Sequence, residues 1–241
     1  MNFKAWWPPR RRTSAELPPP IAEAGKPTIA LIGGTGALGS GLARRWASTG
    51  YPVVIGSREA VKAQAVAASF AGCGGKPSPS GAGNLEAAAL ADIVVLAVPF
   101  ASQQDILEII RPNLQGKLVL TSAVPLSPEA VGRVPAPGNP CAAVELQRGL
   151  GAGARVVSAF HNVSARRLEG RGRIDCDVLV FGDDPGDRET VIGLVAAAGM
   201  RGLHGGPLAN SAAAEALTSV LIGIGRHYKI EGPSIRITGL D

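Results

Sequence analysis

Three glycines in the segment Gly34-Thr35-Gly36-Ala37-Leu38-Gly39 follow the pattern Gly-x-Gly-x-x-Gly. The apolar run at 28–33 before them predicts a buried strand, and the helical spacing of apolar residues at 37–49 predicts a helix. In that setting one glycine makes the turn, one lets a pyrophosphate approach the backbone, and one lets helix and strand pack closely. The helix N-terminus adds amide donors and partial positive charge. The segment therefore indicates a dinucleotide site.

A hydroxyl and two cations follow the second predicted strand, 51–55. Dinucleotide enzymes specific for NAD usually carry an acid there, but this chain has Ser57 and Arg58. Arg58 offers planar, bidentate donors to a phosphate, and Lys62 lies one helical turn further on the same side. These three residues predict a 2′-phosphate clamp and NADP rather than NAD. The alternative is that Arg58 and Lys62 only coat a solvated helix start.

Alternating strand and helix patterns position these residues and predict an α/β fold: a Rossmann-type, doubly wound, mainly parallel sheet with a small C-terminal helical part. A weak further strand is expected near 76–80, and Asn84 and Ser102 are expected to cap helices. The clear strands are predicted at 28–33, 51–55, 92–98, 117–122, 155–160 and 177–181. The helices are predicted at 37–49, 59–71, 85–90, 102–111, 141–150, 185–198 and 207–225.

The overall composition excludes several classes of protein. The net charge of +5 suggests a nucleic-acid partner, but no basic helix or aromatic-interleaved surface motif supports one. Three well-separated cysteines and three histidines show no zinc-ligand spacing, so no metal is expected. No apolar stretch approaches about 20 residues, and no apolar core follows Arg10-Arg11-Arg12, so neither a membrane span nor an export signal is expected. The sequence is interpreted as cytoplasmic.

Several segments resemble one enzyme family. The segment 31–39 followed by Gly56-Ser57-Arg58 is similar to the NADPH-dependent coenzyme F420 reductases (F420:NADP oxidoreductases). The likeness continues in the same order over residues 28–225. The later matching segments are Val98-Pro99, Val124-Pro125, Ser158-Ala159-Phe160-His161-Asn162, Gly182-Asp183-Asp184 and Gly206-Pro207-Leu208-Ala209-Asn210-Ser211.

The resemblance implies one reaction and two of the three parts expected in this chain, whereas the prolines of the N-terminal segment predict the third part, an arm outside the family pattern. Residues 1–27 are expected to form a flexible arm rich in Pro and Arg, 28–160 the NADP-binding Rossmann domain, and 161–241 a small part covering the substrate cleft. The reaction is direct hydride exchange between nicotinamide C4 of NADP(H) and C5 of the deazaflavin coenzyme F420. The cofactors then make and break the bonds while the protein supplies position and polarity, so no catalytic side chain is expected.

The resemblance also implies which residues touch each cofactor. Residues 34–39 would hold the pyrophosphate, and Ser57, Arg58 and Lys62 the 2′-phosphate. Val98 and Pro99 would border the nicotinamide ribose. The two rings would meet beside Ser122, Ala123, Val124 and Pro125. His161 would donate to the deazaflavin edge, while Pro207, Leu208 and Asn210 would cover its ring.

Other interpretations stay open at this point. Residues 100–102 and 226–241 depart from the family pattern near the acceptor, which leaves room for a reductase of a flavin or another acceptor, or for a non-catalytic NADP-binding protein. A lone histidine such as His161 is often structural. Asp183-Asp184 are expected to cap a helix. Arg166 and Arg167 either meet the acidic tail of F420 or are solvated. The long apolar helix at 207–225 suggests a homodimer.

Overall fold

The fold is described from a computed structural model, which covers residues 25–70, 72, 77–126, 141–170 and 172–240. Residues 1–24 of the expected arm lie outside this part, as do 127–140 of the long Pro/Gly-rich loop.

An eight-stranded sheet runs through the described part of the chain in the order β3-β2-β1-β4-β5-β6-β7-β8. All neighbouring strands pair in parallel except β6 and β7, which are antiparallel. The mainly parallel Rossmann-type sheet is therefore confirmed. The strands are β1 Ile29–Ile32, β2 Val53–Ser57, β3 Ser80–Gly83, β4 Ile93–Leu96, β5 Leu118–Thr121, β6 Arg155–Ser158, β7 Asp177–Gly182 and β8 Arg201–Gly206.

Helices connect these strands in the order that the sequence patterns predict, with one helix in addition to the seven predicted. The helices are α1 Ala37–Ser48, α2 Ala60–Ala68, α3 Asn84–Leu90, α4 Gln103–Ile110, α5 Ala142–Leu150, α6 Ala165–Glu169, α7 Pro185–Ala197 and α8 Ser211–Tyr228. A 3-10 turn at Phe100–Ser102 precedes α4, and another at Leu208–Asn210 precedes α8. The chain patterns missed the short α6 and the strand β8.

Each face of the sheet carries a buried apolar layer, because successive residues of a strand point to opposite faces. Ile29 and Leu31 of β1 belong to one layer, while Ala30 and Ile32 belong to the other. In the first layer Trp46 of α1 meets the Phe160 ring edge-on, and its indole N–H donates to the Leu194 carbonyl at 2.8 Å. These contacts fix the helix that follows the glycine-rich segment against both halves of the sheet.

A buried arginine holds the same helix to the C-terminal part of the chain. Arg45 of α1 is only 8% exposed, yet its guanidinium faces carbonyl groups rather than carboxylates. It donates to the carbonyls of Arg167, Leu168, Gly170, Gly172 and Ala198 at 2.7–3.2 Å. Because every guanidinium donor finds a partner, the cost of burying this charge is offset by hydrogen bonds.

Several element boundaries differ from the sequence prediction; β4, for example, ends at Leu96 rather than at 98. The strand predicted at 155–160, β6, ends at Ser158, since Phe160 takes a φ of 67° and turns the chain. The weak strand forms at 80–83 rather than 76–80. The last helix begins at Ser211, after the 3-10 turn, and continues to Tyr228. Residues 161–240 contribute β7 and β8 to the same sheet, and the boundary at 160/161 stays a prediction.

The helix α8 is long and apolar. Within the described residues, the stretch Leu208–Tyr228 could cross a membrane by length and composition alone, a test that core helices of soluble proteins also pass. One third of the tested window is buried, and Val220 and Ile224 lie exposed one turn apart. This face is available to a partner.

Candidate functional site

The glycine-rich turn between β1 and α1 is packed so closely that side chains would not fit. Gly33 has a φ of +80°, so the sharp turn falls one residue before the pattern rather than on one of its three glycines. A Cβ on Gly39 would lie 2.7 Å from the Gly33 carbonyl oxygen and 2.8 Å from the Gly34 Cα. Gly39 is therefore the glycine that lets the helix approach the strand.

The N-terminus of α1 is open to an anion. Thr35, Gly36 and Ala37 are exposed, and the N-cap residue Gly36 has no side chain to satisfy the first amide groups. The first turn carries no acid. The first N–H groups of a helix lack partners within it, so here they remain available to a phosphate group.

A cleft of about 410 Å³ opens beside this turn, at the carboxyl ends of β1, β2 and β4. Seven of the predicted residues line it: Thr35, Gly36, Ser57, Arg58, Lys62, Val98 and Pro99. It is also lined by Gly33, Glu59, Asn84, Ala97, Ser102, Asp105, Ile106 and Ile109. Ligands of doubly wound sheets bind at this edge. The cavity brings two of the predicted pyrophosphate residues together with the three predicted 2′-phosphate residues, whereas the others of the glycine-rich segment do not line it: Gly34, Ala37, Leu38 and Gly39.

The cationic end of the cleft contains an acid that sequence reasoning left out. Lys62 Nζ lies 2.6 Å from Glu59 Oε1, and both side chains are largely exposed. The Ser57 hydroxyl accepts from the Glu59 backbone N–H at 3.3 Å. Arg58 is exposed and has no ion-pair partner among the described residues. The two cations are therefore not equivalent before a ligand arrives.

Asn84 is a second cleft residue that the sequence did not identify as functional. The expectation that its side chain caps α3 is wrong, because the helix begins at Asn84 itself and the N-cap is Gly83. Asn84 is 6% exposed. Its Oδ1 is the single buried side-chain nitrogen or oxygen atom of the described residues that has no hydrogen-bond partner. A buried polar atom without a partner is costly, so an orphan acceptor in a cleft points to a ligand donor.

These features fit a phosphorylated dinucleotide. The open helix end accepts the pyrophosphate, Arg58 and Ser57 offer donors to a further phosphate, and Asn84 offers an acceptor to a ribose hydroxyl or an adenine amine. Asn84 stands directly after Gly83 at a strand-to-helix junction. A polar residue at the carboxyl end of β3, the strand that pairs with β2, is the sequence signal that could have identified Asn84.

The residues predicted to lie where the two rings meet follow β5. Ser122 and Ala123 are buried, and Ala123 N–H donates to the Thr121 hydroxyl at 3.2 Å. Ser122 donates from both its backbone N–H and its hydroxyl to the Leu96 carbonyl at 3.4 Å, which ties the ends of β5 and β4 together. Val124 and Pro125 are half-buried. None of the four lines the 410 Å³ cleft.

His161 lies in a different cavity. It is 7% exposed and lines a groove of about 480 Å³ with Asn162, the C-terminal half of α8 and residues 230–233. Its Nε2 is 2.6 Å from the Ser158 hydroxyl. Burial lowers the pKa of His161 to about 4, so the ring is neutral at physiological pH.

The segment predicted to cover the substrate ring connects β8 to α8. Leu208 is buried in the second apolar layer, and its N–H donates to Asp183 Oδ1 at 3.0 Å. Asn210 is exposed, and its Nδ2 donates to the Gly205 carbonyl at 3.0 Å. Pro207 is exposed as well. These three residues line neither the 410 Å³ cleft nor the groove at His161.

Hydrogen bonds test the expected cap of α7 and show the contacts of Arg166 and Arg167, whose role toward F420 stays a prediction. Asp184 is the N-cap of α7 and accepts from the Asp187 N–H at 2.8 Å, so its expected capping role is confirmed. Arg166 pairs with Glu231, and Arg167 Nε donates to the Gly232 carbonyl at 2.9 Å. Both arginines therefore contact the C-terminal tail. Within the described ranges, no three His, Cys, Asp or Glu side chains form a group that could hold a metal ion.

Comparisons with known proteins show the family of the chain. The family model described as NADP oxidoreductase, coenzyme F420-dependent, matches residues 28–125. A relative named F420-dependent NADP reductase from Methanothermobacter thermautotrophicus is 36% identical over 226 residues, covering 88% of this chain and 95% of its own length. One of the same name from Methanocaldococcus jannaschii is 36% identical over 223 residues, covering 88% of this chain and 99% of its own length.

Solved structures show the same architecture. A crystal structure of a candidate F420-dependent NADP reductase from Arthrobacter sp. FB24 superposes with a TM-score of 0.73 at 26% identity, covering 88% of this chain and 99% of the other. A reductive aminase from Aspergillus terreus in complex with NADPH superposes with a TM-score of 0.61 at 21% identity, over 85% of this chain and 63% of that one. The second likeness concerns the fold alone.

Proposed function

The chain belongs to the family of F420-dependent NADP reductases, oxidoreductases that transfer a hydride between NADP(H) and coenzyme F420, and we propose that it performs this reaction from the cleft beside Gly33–Gly36. One cavity supports this location of the reaction. It brings together an open helix N-terminus, the exposed Arg58 and the unpaired acceptor of Asn84. A flavin acceptor or a non-catalytic role is not favoured by the comparisons.

The nucleotide half of the proposal assigns one task to each part of the cleft. Residues 34–39 hold the pyrophosphate on the amide groups at the start of α1, and Ser57, Arg58 and Lys62 bind the 2′-phosphate. Val98 and Pro99 follow β4 and border the nicotinamide ribose. The Asn84 amide accepts from the adenosine half, which removes the cost of its unsatisfied Oδ1.

The substrate half of the proposal concerns the end of β5 and the C-terminal part. Ser122, Ala123, Val124 and Pro125 would border the reacting rings, while His161, Pro207, Leu208 and Asn210 would belong to the part, 161–241, that covers the deazaflavin. NADP(H) supplies the hydride chemistry when bound. The residues of the chain hold the two rings at reacting distance and keep water away, which is a contribution of position rather than of acid–base groups.

Hydride transfer is tested by mixing the purified protein with NADP and reduced F420 and following the absorbance of oxidised deazaflavin. Turnover that saturates in both substrates is expected. Parallel reactions in which NADPH supplies the hydride to oxidised F420, to FMN or to a cyclic imine separate the acceptors. Activity with either of these and none with F420 between about pH 5 and 9 would overturn the assignment of the acceptor.

We also propose that the protein is a cytoplasmic homodimer that contacts neither membrane nor nucleic acid. The support for a dimer is the exposed apolar face of α8, where Val220 and Ile224 lie one turn apart. Sedimentation of the protein and of a Val220→Asp/Ile224→Asp variant measures the assembly. A dimer that the double substitution converts to a monomer is expected, whereas a monomeric wild-type protein contradicts the proposal.

A further inference from the structure

A buried chain of polar side chains connects His161 to an acidic residue of α8. His161 Nε2 lies 2.6 Å from Ser158 Oγ, Ser158 Oγ lies 2.6 Å from Ser211 Oγ, and Ser211 Oγ lies 2.9 Å from Glu215 Oε1. All four residues are buried. This chain of hydrogen-bonded side chains runs from the end of β6 to the first turns of α8. It joins two elements that lie about fifty positions apart in the sequence.

Counting protons limits how this chain can be arranged. It contains three short contacts, but the two serine hydroxyls supply only two protons. The third proton must come from one end, either from the imidazole N–H at Nε2 or from a protonated Glu215. In the first case every proton points toward Glu215, and in the second case every proton points toward His161.

The Glu215 carboxylate already accepts hydrogen bonds from several donors besides Ser211. Its carboxylate accepts from the N–H groups of Ala142 and Ala143, at 2.8 and 3.3 Å, and these open the helix α5. The Cys141 thiol, whose pKa rises to about 11 chiefly through burial, donates to the same carboxylate at 3.2 Å. A helix N-terminus and several donors stabilise a negative charge. The missing proton therefore belongs to His161.

We propose that Glu215 is a positioning residue that acts through Ser211 and Ser158 to keep the ring proton of His161 on Nε2, leaving Nδ1 as a hydrogen-bond acceptor. This hydrogen-bond role is opposite to the one that the resemblance implied, in which His161 donates to the deazaflavin edge. Where His161 meets the substrate as in the function proposed above, its Nδ1 accepts from the imide N–H on the pyrimidine edge of the deazaflavin. That last step rests on the proposed function, whereas the tautomer does not.

The tautomer is measured by NMR on protein labelled with ¹⁵N-histidine, without any cofactor. The chain has three histidines, and a His161→Gln variant identifies the signal of interest. At neutral pH we expect a protonated Nε2 and a lone pair on Nδ1 in the wild-type protein. A wild-type spectrum with the proton on Nδ1 overturns the proposal even if every variant fails to fold.

Substitution of Ser211 tests whether the chain sets the tautomer. In Ser211→Ala the Ser158 hydroxyl loses its acceptor and turns to Nε2, so the His161 proton is expected to move to Nδ1. Ser211→Thr keeps a hydroxyl and should restore the wild-type spectrum. Ser219→Ala removes another buried hydroxyl of α8 and should change nothing. An unchanged tautomer in Ser211→Ala contradicts the proposal, and failure of F420 reduction leaves these spectra unaffected.

Discussion

The two cations assigned to the 2′-phosphate differ in their ion-pair contacts before a ligand binds. Lys62 is paired with Glu59 at 2.6 Å, whereas Arg58 is exposed and has no ion-pair partner in the described part. An exposed ion pair is weak, so a phosphate that binds here displaces Glu59 at small cost. The negative charge of Glu59 nevertheless remains next to the proposed phosphate. Arg58 should therefore contribute more to NADP binding than Lys62, and Glu59 should oppose it.

Substitutions in this clamp should change the choice of nucleotide. Arg58→Ala is expected to weaken NADP binding by around 1.5–3 kcal/mol, the size of a lost charged hydrogen bond, and to leave NAD binding nearly unchanged. Glu59→Gln should tighten NADP binding several-fold, since it removes the opposing charge. Calorimetric titration of each variant with both nucleotides checks this. Equal losses for NADP and NAD in Arg58→Ala would show that the clamp lies elsewhere.

The orphan acceptor of Asn84 should contribute to nucleotide affinity but not to the choice between nucleotides. Asn84→Leu keeps the size of the side chain and removes the acceptor, so NADP and NAD should both bind about 1–3 kcal/mol more weakly. Because Oδ1 has no partner without ligand, the free variant should be no less stable in urea. A variant that binds both nucleotides like the wild-type protein contradicts the assignment.

Elements with a strong local signal could be predicted from the sequence, and the weaker ones could not. The glycine-rich turn between β1 and α1 has a spacing that few other structures require, so its role was visible. The strand β8, with three glycines in Arg201–Gly206 and mostly partial burial, lacks the branched apolar residues that mark strands. It forms because β7 pairs with it from Arg201 to Gly206, with one irregularity in register at Gly205.

Side-chain partners were the least predictable part of the site. Glu59 and Asn84 have ordinary local surroundings in the sequence, and the chain acquires their cleft positions only when β2 and β3 pair. The contacts of Ser211 with Ser158 and His161 likewise depend on tertiary packing between the end of β6 and α8. The spacing of residue types in a sequence indicates which residues are neighbours along one helix or strand. These partners come from different elements.

The cap of α7 should stabilise that helix in a way that can be measured. Asp184→Ala removes the acceptor for the Asp187 N–H and is expected to lower the free energy of unfolding by about 1 kcal/mol. Asp184→Asn keeps a capping oxygen and should be nearly neutral. Urea unfolding followed by circular dichroism compares the three proteins. Equal losses in both variants would indicate that the charge, not the cap, matters.

Stability of the whole molecule should depend on pH through His161. Its folded pKa of about 4 lies below the ordinary value near 6.5, so the unfolded chain binds a proton that the folded chain rejects between these values. The contribution of neutral His161 to the free energy of unfolding is fully present above pH 6.5. It is lost as the pH falls toward 4, by roughly 3 kcal/mol in total.

The expected pH dependence appears in urea unfolding at pH 7 and pH 5. The wild-type protein should lose stability between these values, and His161→Gln should lose markedly less. His204 and His227 are exposed in the structure and remain in both proteins, so they cancel in the comparison. A wild-type protein and a variant with the same pH slope would exclude His161 as the source.

Because the Arg45 guanidinium donates to carbonyls in and after α6 and at the end of α7, we expect α1, α6 and the end of α7 to unfold locally as one cooperative unit. Opening α6 requires breaking its hydrogen bonds to Arg45, on the helix whose N-terminus is proposed to bind the nucleotide. At a concentration of one hundred times Kd, NADP stabilises the bound state by about 2.7 kcal/mol. Hydrogen exchange at residues 165–170 should then slow by up to about 100-fold where it proceeds through openings that release NADP. Nucleotide bound at one end of α1 would thus make the chain at its other end more rigid.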